Sequence, residues 1–133
     1  MGVVTDTSII IGFLKGHQPE VAYVQQALRN GTLTITAITV FELKLGLTTN
    51  SKRERLLTKF FEQVTVLPFD GQAALAAAMI ENRLRSAGEV IGVPDVLIAG
   101  ICLARNLSLA TLNVEHFKRV TGLDVLAPTS TSE

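Results

Sequence analysis

Four oxygen-bearing side chains, Asp6, Glu42, Asp95 and Asn113, are far apart in the sequence but share one setting. Each stands just past a predicted strand or in the first turn of a helix that follows one. In an open α/β sheet that rim is where ligands bind. Three carboxylates gathered on one rim repel one another and resist ionising unless a cation sits between them. A hard divalent ion such as Mg²⁺ or Mn²⁺ meets that need, because it takes oxygen ligands, keeps several waters and binds through one or two carboxylates plus substrate phosphates. Such an ion generates hydroxide and neutralises charge that develops on a scissile phosphodiester. Taken singly, each acid also has a plainer reading: Asp6 as a helix cap, Glu42 and Asp95 as complements to a helix dipole. Their meeting on one rim is what favours a site.

The elements that must position these residues alternate between strand and helix. Val3-Val4-Thr5 reads as a short buried strand that ends at Asp6, and Thr7 or Ser8 is placed to cap a helix from Ser8 to Leu14, stopped by Gly16. Pro19 suits the first turn of a second helix with Val21, Val24, Ala27 and Leu28 at helical spacing, closed by Asn30-Gly31. Leu33 to Thr36 alternates as a strand. Thr39 is then expected to cap a helix carrying Val40, Phe41, Leu43, Leu45 and Leu47, which puts Glu42 in its first turn.

Ser51 to Glu62 reads as a charged helix with Lys52, Arg53, Arg55 and Lys59 outside and Leu56, Leu57, Phe60 and Phe61 inside. The strand Val64 to Leu67 follows, and Asp70-Gly71 opens an alanine-rich helix, Gln72 to Ser86, whose thin side-chain layer predicts close helix packing. Pro94 is expected to begin the helix Pro94 to Arg105, with Asp95 in its positive first turn. Leu107 to Thr111 is a strand ending at Asn113, residues 115 to 117 form a helical turn, and Asp124 to Leu126 is an edge strand. This alternation predicts an α/β fold: one domain over 1–127, an α/β/α sandwich around a mainly parallel sheet of about five strands, with a flexible polar tail over 128–133.

Composition narrows the function classes. The chain has 133 residues, 47% of them hydrophobic, enough for one sizeable core. Twelve Lys and Arg balance twelve Asp and Glu, so any nucleic-acid contact must come from a local patch. No apolar run reaches membrane-spanning length and no signal-peptide pattern precedes the first strand, so a cytoplasmic protein without membrane contact is expected. With one cysteine, Cys102, an intramolecular disulfide and a cysteine-based zinc site are both excluded.

The order of elements and five local motifs resemble the PIN-domain family, in particular the VapC-like toxins of bacterial and archaeal toxin–antitoxin pairs. The motifs are Val4-Thr5-Asp6-Thr7-Ser8, the run from Ile38 to Gly46 around Glu42, Val66-Leu67-Pro68-Phe69-Asp70, the run from Ile91 to Ala99 around Asp95, and the run from Ala110 to Phe117 around Asn113. The resemblance covers nearly the whole chain. It implies an endoribonuclease that uses Mg²⁺ or Mn²⁺ to activate a water, with Asp6 and Asp95 as principal metal ligands and Glu42 as a further ligand or the residue that orients water. Asn113 matches a fourth site position held by aspartate or asparagine among relatives. Ser8 and Thr111 match small hydroxyl positions beside the site. The implied partners are an RNA substrate, a second copy of the chain in a homodimer, and a cognate antitoxin that lays a peptide into the acidic groove.

An aspartyl-phosphate enzyme or receiver module is disfavoured, since the haloacid-dehalogenase-type phosphatases carry a second aspartate where this chain has Ser8, and a receiver needs an acidic pair and a late lysine. A PIN fold kept as a non-catalytic protein- or RNA-binding module is the alternative, and Asn113 and the zero net charge speak for it. Cys102 reads as core filler, and His17 and His116 as surface residues. Lys52, Arg53, Arg55 and Lys59, with Arg83, Arg85, Lys118 and Arg119, read either as solvated charge or as contacts to an RNA backbone.

Overall fold

Short β-branched runs form the strands, and apolar residues at helical spacing form the helices between them. The computed structural model describes residues 2–45 and 51–129; Leu47, Gly46 and the tail beyond Thr129 lie outside the described residues. Strand β1 (Val3–Thr5) leads through α1 (Thr7–Leu14) and α2 (Glu20–Arg29) to β2 (Thr34–Thr36). The helices α3 (Ala37–Leu45) and α4 (Ser51–Phe61) connect β2 to β3 (Thr65–Leu67). The crossover from β3 to β4 (Ser108–Ala110) is made by α5 (Gly71–Ala87) and α6 (Val93–Ala104), and α7 (Val114–Phe117) precedes β5 (Val125–Leu126).

All the strand pairs are parallel, as the helical crossovers require. They form two ladders among the described residues, β1-β4-β5 and β2-β3. β1 and β2 lie side by side, so the spatial order is β3-β2-β1-β4-β5. The chain therefore winds one way from β1 to β3 and the other way from β4 to β5. The reversal falls between β1 and β4, at the point where open α/β sheets hold their ligands.

Two apolar layers cover the sheet. Val4 and Leu109 pack with Ala77, Ile80, Ile98, Cys102 and Phe117 on one face, and Ile35 and Ala110 pack with Ile9, Ile10, Val24, Leu57 and Phe60 on the other. The expected α/β/α sandwich is thus present. So is the close helix packing: a Cβ added at Gly100 of α6 would stand 2.7 Å from the Ala73 carbonyl oxygen and 2.9 Å from the Ala77 methyl group of α5. Cys102 is fully buried in this layer, and burial pushes its thiol up to about 12, with the Asp6 charge adding to the effect.

Several local expectations are corrected. Asp6, not Thr7 or Ser8, holds the N-cap position of α1, and Pro19 holds that of α2, one residue outside the helix. α6 begins at Val93, so Pro94 is its second residue. α3 begins three residues earlier than Thr39 implied, because the chain passes from β2 into the helix without a turn and the Thr36 hydroxyl accepts the Thr39 N–H at 3.2 Å. Glu42 accordingly sits in the second turn, away from the helix terminus. Leu56 is 59% exposed, while Leu57 and Phe60 carry the buried face of α4.

Candidate active site

Asp6 follows β1 directly, and its backbone N–H extends the ladder to the Ala110 carbonyl at 2.9 Å. Its side chain is buried, with the residue 3% exposed, and makes no capping bond to α1. Instead Asp6 Oδ2 accepts two hydroxyls, from Ser8 at 2.8 Å and from Thr111 at 2.7 Å. Two hydroxyl donors on one oxygen fix the rotamer of the carboxylate. Ser8 comes from the first turn of α1 and Thr111 from the end of β4, so the two hydroxyls reach Asp6 from both sides of the crevice. The Ser8 hydroxyl also accepts the Leu112 N–H at 3.2 Å, and that of Thr111 accepts the Asn113 N–H at 3.0 Å.

Glu42 is tied to the same corner through threonines. The Thr7 hydroxyl donates to Glu42 Oε1 at 2.7 Å and stands 2.7 Å from the Thr39 hydroxyl. A hydroxyl has one proton, so with Thr7 donating to Glu42 the Thr39 hydroxyl must donate to Thr7. Thr7 and Thr39 are both buried. They are supporting residues that sequence reading assigned to capping instead.

Asp95 occupies the first turn of α6, with its side chain 27% exposed. Gly92 at the N-cap has φ 103°, a left-handed conformation that admits glycine most readily and that turns the preceding loop into the helix. Burial raises the Asp95 carboxyl above the ordinary carboxylate range, and the Asp6 charge raises it further. His116 works against both, and the Glu42 charge adds a smaller upward push. The imidazole Nε2 of His116 lies 3.0 Å from Asp95 Oδ2. His116 is a site neighbour that sequence reading placed on the surface; its 21-residue separation from Asp95 carries no motif spacing that would have revealed it.

Asn113 is exposed at the N-cap of α7, and its side chain makes no capping bond. The structure thus joins Asp6, Ser8 and Thr111 by direct bonds, brings Glu42 alongside through Thr7, sets Asp95 within range of the Asp6 charge, and links Asn113 by its backbone. Among the described residues no three His, Cys, Asp or Glu side chains converge into a closed cage. The donor set still fits a hard cation, since it offers carboxylate oxygens whose charges act against one another at Asp95, and Mg²⁺ needs only one or two of them alongside water.

The family profile described as PIN domain matches residues 3–123. The chain is 36% identical to ribonuclease VapC1 of Rickettsia felis over 98% of both chains. It is 31% identical to the tRNA(fMet)-specific endonuclease VapC of Shigella flexneri over 89% of this chain and 91% of that one. Among solved structures, the DNA-bound VapBC of Salmonella typhimurium superposes with a TM-score of 0.84 at 27% identity, over 94% of this chain and 96% of that one. The chain belongs to the PIN domain family, among the VapC ribonucleases.

Proposed function

We propose that the protein is a metal-dependent endoribonuclease toxin of the VapC kind, silenced by a VapB-type antitoxin. The observation that carries this reading is the Asp6 carboxylate, clamped by two hydroxyls at the sheet's reversal point and close enough to Asp95 to raise its carboxyl. On this reading Asp6 and Asp95 hold Mg²⁺ or Mn²⁺, Glu42 is a further ligand or orients the attacking water, and Asn113 supplies a neutral polar group at the fourth position. Ser8 and Thr111 orient Asp6, and Thr7 with Thr39 orients Glu42. The bound ion supplies an activated water and neutralises charge on the phosphodiester. The exposed cations of α4, including Arg55 and Lys59, are placed to run along an RNA backbone.

The partner reading has its own support. A groove of about 450 Å³, lined by Ile11, Leu14, Leu56 and Leu57, has Glu42 on its wall. An apolar peptide with a basic side chain would cover the exposed Ile11, Leu14 and Leu56 and pair with the acid. Exposed Leu75 and Met79 on α5 suit a subunit interface. Among the described residues no helix is long and apolar enough to cross a membrane.

Asp6→Asn and Asp95→Asn test the assignment. Both variants should keep the circular dichroism spectrum of the wild type, lose RNA cleavage with Mg²⁺ or Mn²⁺, and lose growth arrest. Undiminished cleavage in either variant overturns the catalytic roles. A wild-type chain that cuts no RNA yet binds a partner protein favours a non-catalytic module.

A further inference from the structure

His116 Nε2 stands between two acceptors, 2.9 Å from the Ile91 carbonyl oxygen and 3.0 Å from Asp95 Oδ2. The Ile91 carbonyl can only accept, so this nitrogen carries the hydrogen and offers it to both oxygens. The ring is held from behind by fully buried Phe117, which it meets edge-on at 86° with centroids 5.8 Å apart. Ile91 is itself buried in the layer between sheet and helices. The imidazole therefore has one side anchored to the core and its Nε2 directed at both the carboxylate and the Ile91 carbonyl. It also pins the loop before α6 to the turn that carries Asn113.

We infer that His116 is a positioning residue for Asp95: it fixes the carboxylate by its Oδ2 oxygen and leaves Oδ1 as the oxygen for an incoming cation. The inference rests on the reading of Asp95 as a metal ligand given above. Hydrogen-bond partners that orient a ligating side chain are worth about 10–100-fold in metal affinity or activity.

The test is Mn²⁺ binding to the purified full chain, followed by electron paramagnetic resonance of the free ion, together with RNA cleavage across a Mn²⁺ titration. His116→Phe keeps a ring against Phe117 but has no donor. His116→Gln places an amide N–H near the Nε2 position, whereas His116→Asn is too short to reach Asp95. The expected result is Mn²⁺ binding weakened about 10–100-fold in H116F and H116N and restored to within a few-fold in H116Q. Cleavage by H116N should recover as Mn²⁺ is raised, so that the metal requirement shifts more than the saturated rate. Equal Mn²⁺ binding in wild type, H116F and H116N overturns the inference alone. A wild-type chain that binds no Mn²⁺ overturns the reading of the site and this inference with it. If H116F fails to fold, the contrast between H116Q and H116N decides, and equal binding in those two overturns the inference.

Discussion

The Thr111 hydroxyl donates to Asp6 Oδ2 at 2.7 Å, joining two residues 105 positions apart at the ends of neighbouring strands. Thr111 is fully buried, and its oxygen also accepts the Asn113 N–H. Thr111→Val keeps the shape and removes both bonds. It should cost about 1–3 kcal/mol of stability, read from chemical denaturation, because the Asn113 amide and one site on Asp6 lose their partner. Cleavage of a labelled RNA should fall by about 10–100-fold. Ser8→Ala should act in the same direction while leaving Thr111 in place.

Gly100 is a point of close approach between α5 and α6. Gly100→Ala would drive a methyl group against the Ala73 carbonyl and the Ala77 side chain, and backbone cannot yield as a flexible side-chain end does. The variant should lose about 1–3 kcal/mol, seen as a lower urea midpoint with an unchanged slope. Since α6 carries Asp95, its cleavage rate should fall even where the folded fraction is restored by cooling.

Asp70 caps α5 by accepting the Ala73 N–H at 3.0 Å, and this bond lowers its carboxyl below the ordinary aspartate range, with the Arg105 guanidinium helping. A carboxyl lowered by folding stabilises the native state above its unfolded value, and the contribution is lost as pH falls through the folded value. Asp70→Asn retains a capping oxygen but cannot titrate. Its melting temperature should decline less steeply with acidification than that of the wild type, measured across the carboxylate range, and a parallel decline in the two proteins would refute the linkage.

Much of the fold is legible in the sequence because its signals are local. The β-branched run Val3 to Thr5, the positive-φ glycines at Gly16 and Gly31, and the Asp70 cap each announce an element boundary without help from the rest of the chain. Asp6 was legible for the same reason, as a carboxylate at the end of the first strand.

Local signals failed where two residues of one type competed. Thr36 and Thr39 are equally good caps by chemistry, and only the direct passage from β2 into α3 decides for Thr36 and moves Glu42 into the second turn. Leu56 and Leu57 are adjacent and equally apolar, yet the helix can bury one of them, and the packing of α4 selects Leu57. His116 was missed because its meaning comes from Asp95 and Ile91, which reach it through the tertiary fold. The same holds for the Thr39–Thr7–Glu42 relay, which spans two helices.

The parallel pairing of β1 with β4 also sets a time for the protein to become active. Chains fold from the N-terminus as they emerge during synthesis, but Thr111 cannot complete the clamp on Asp6 until β4 and the residue after it have left the ribosome. A growing chain therefore carries Asp6 and Ser8 long before Thr111, the second hydroxyl that holds the acid. On the proposed reading, a fragment that ends before β4 lacks the Thr111 clamp on Asp6 and is never armed.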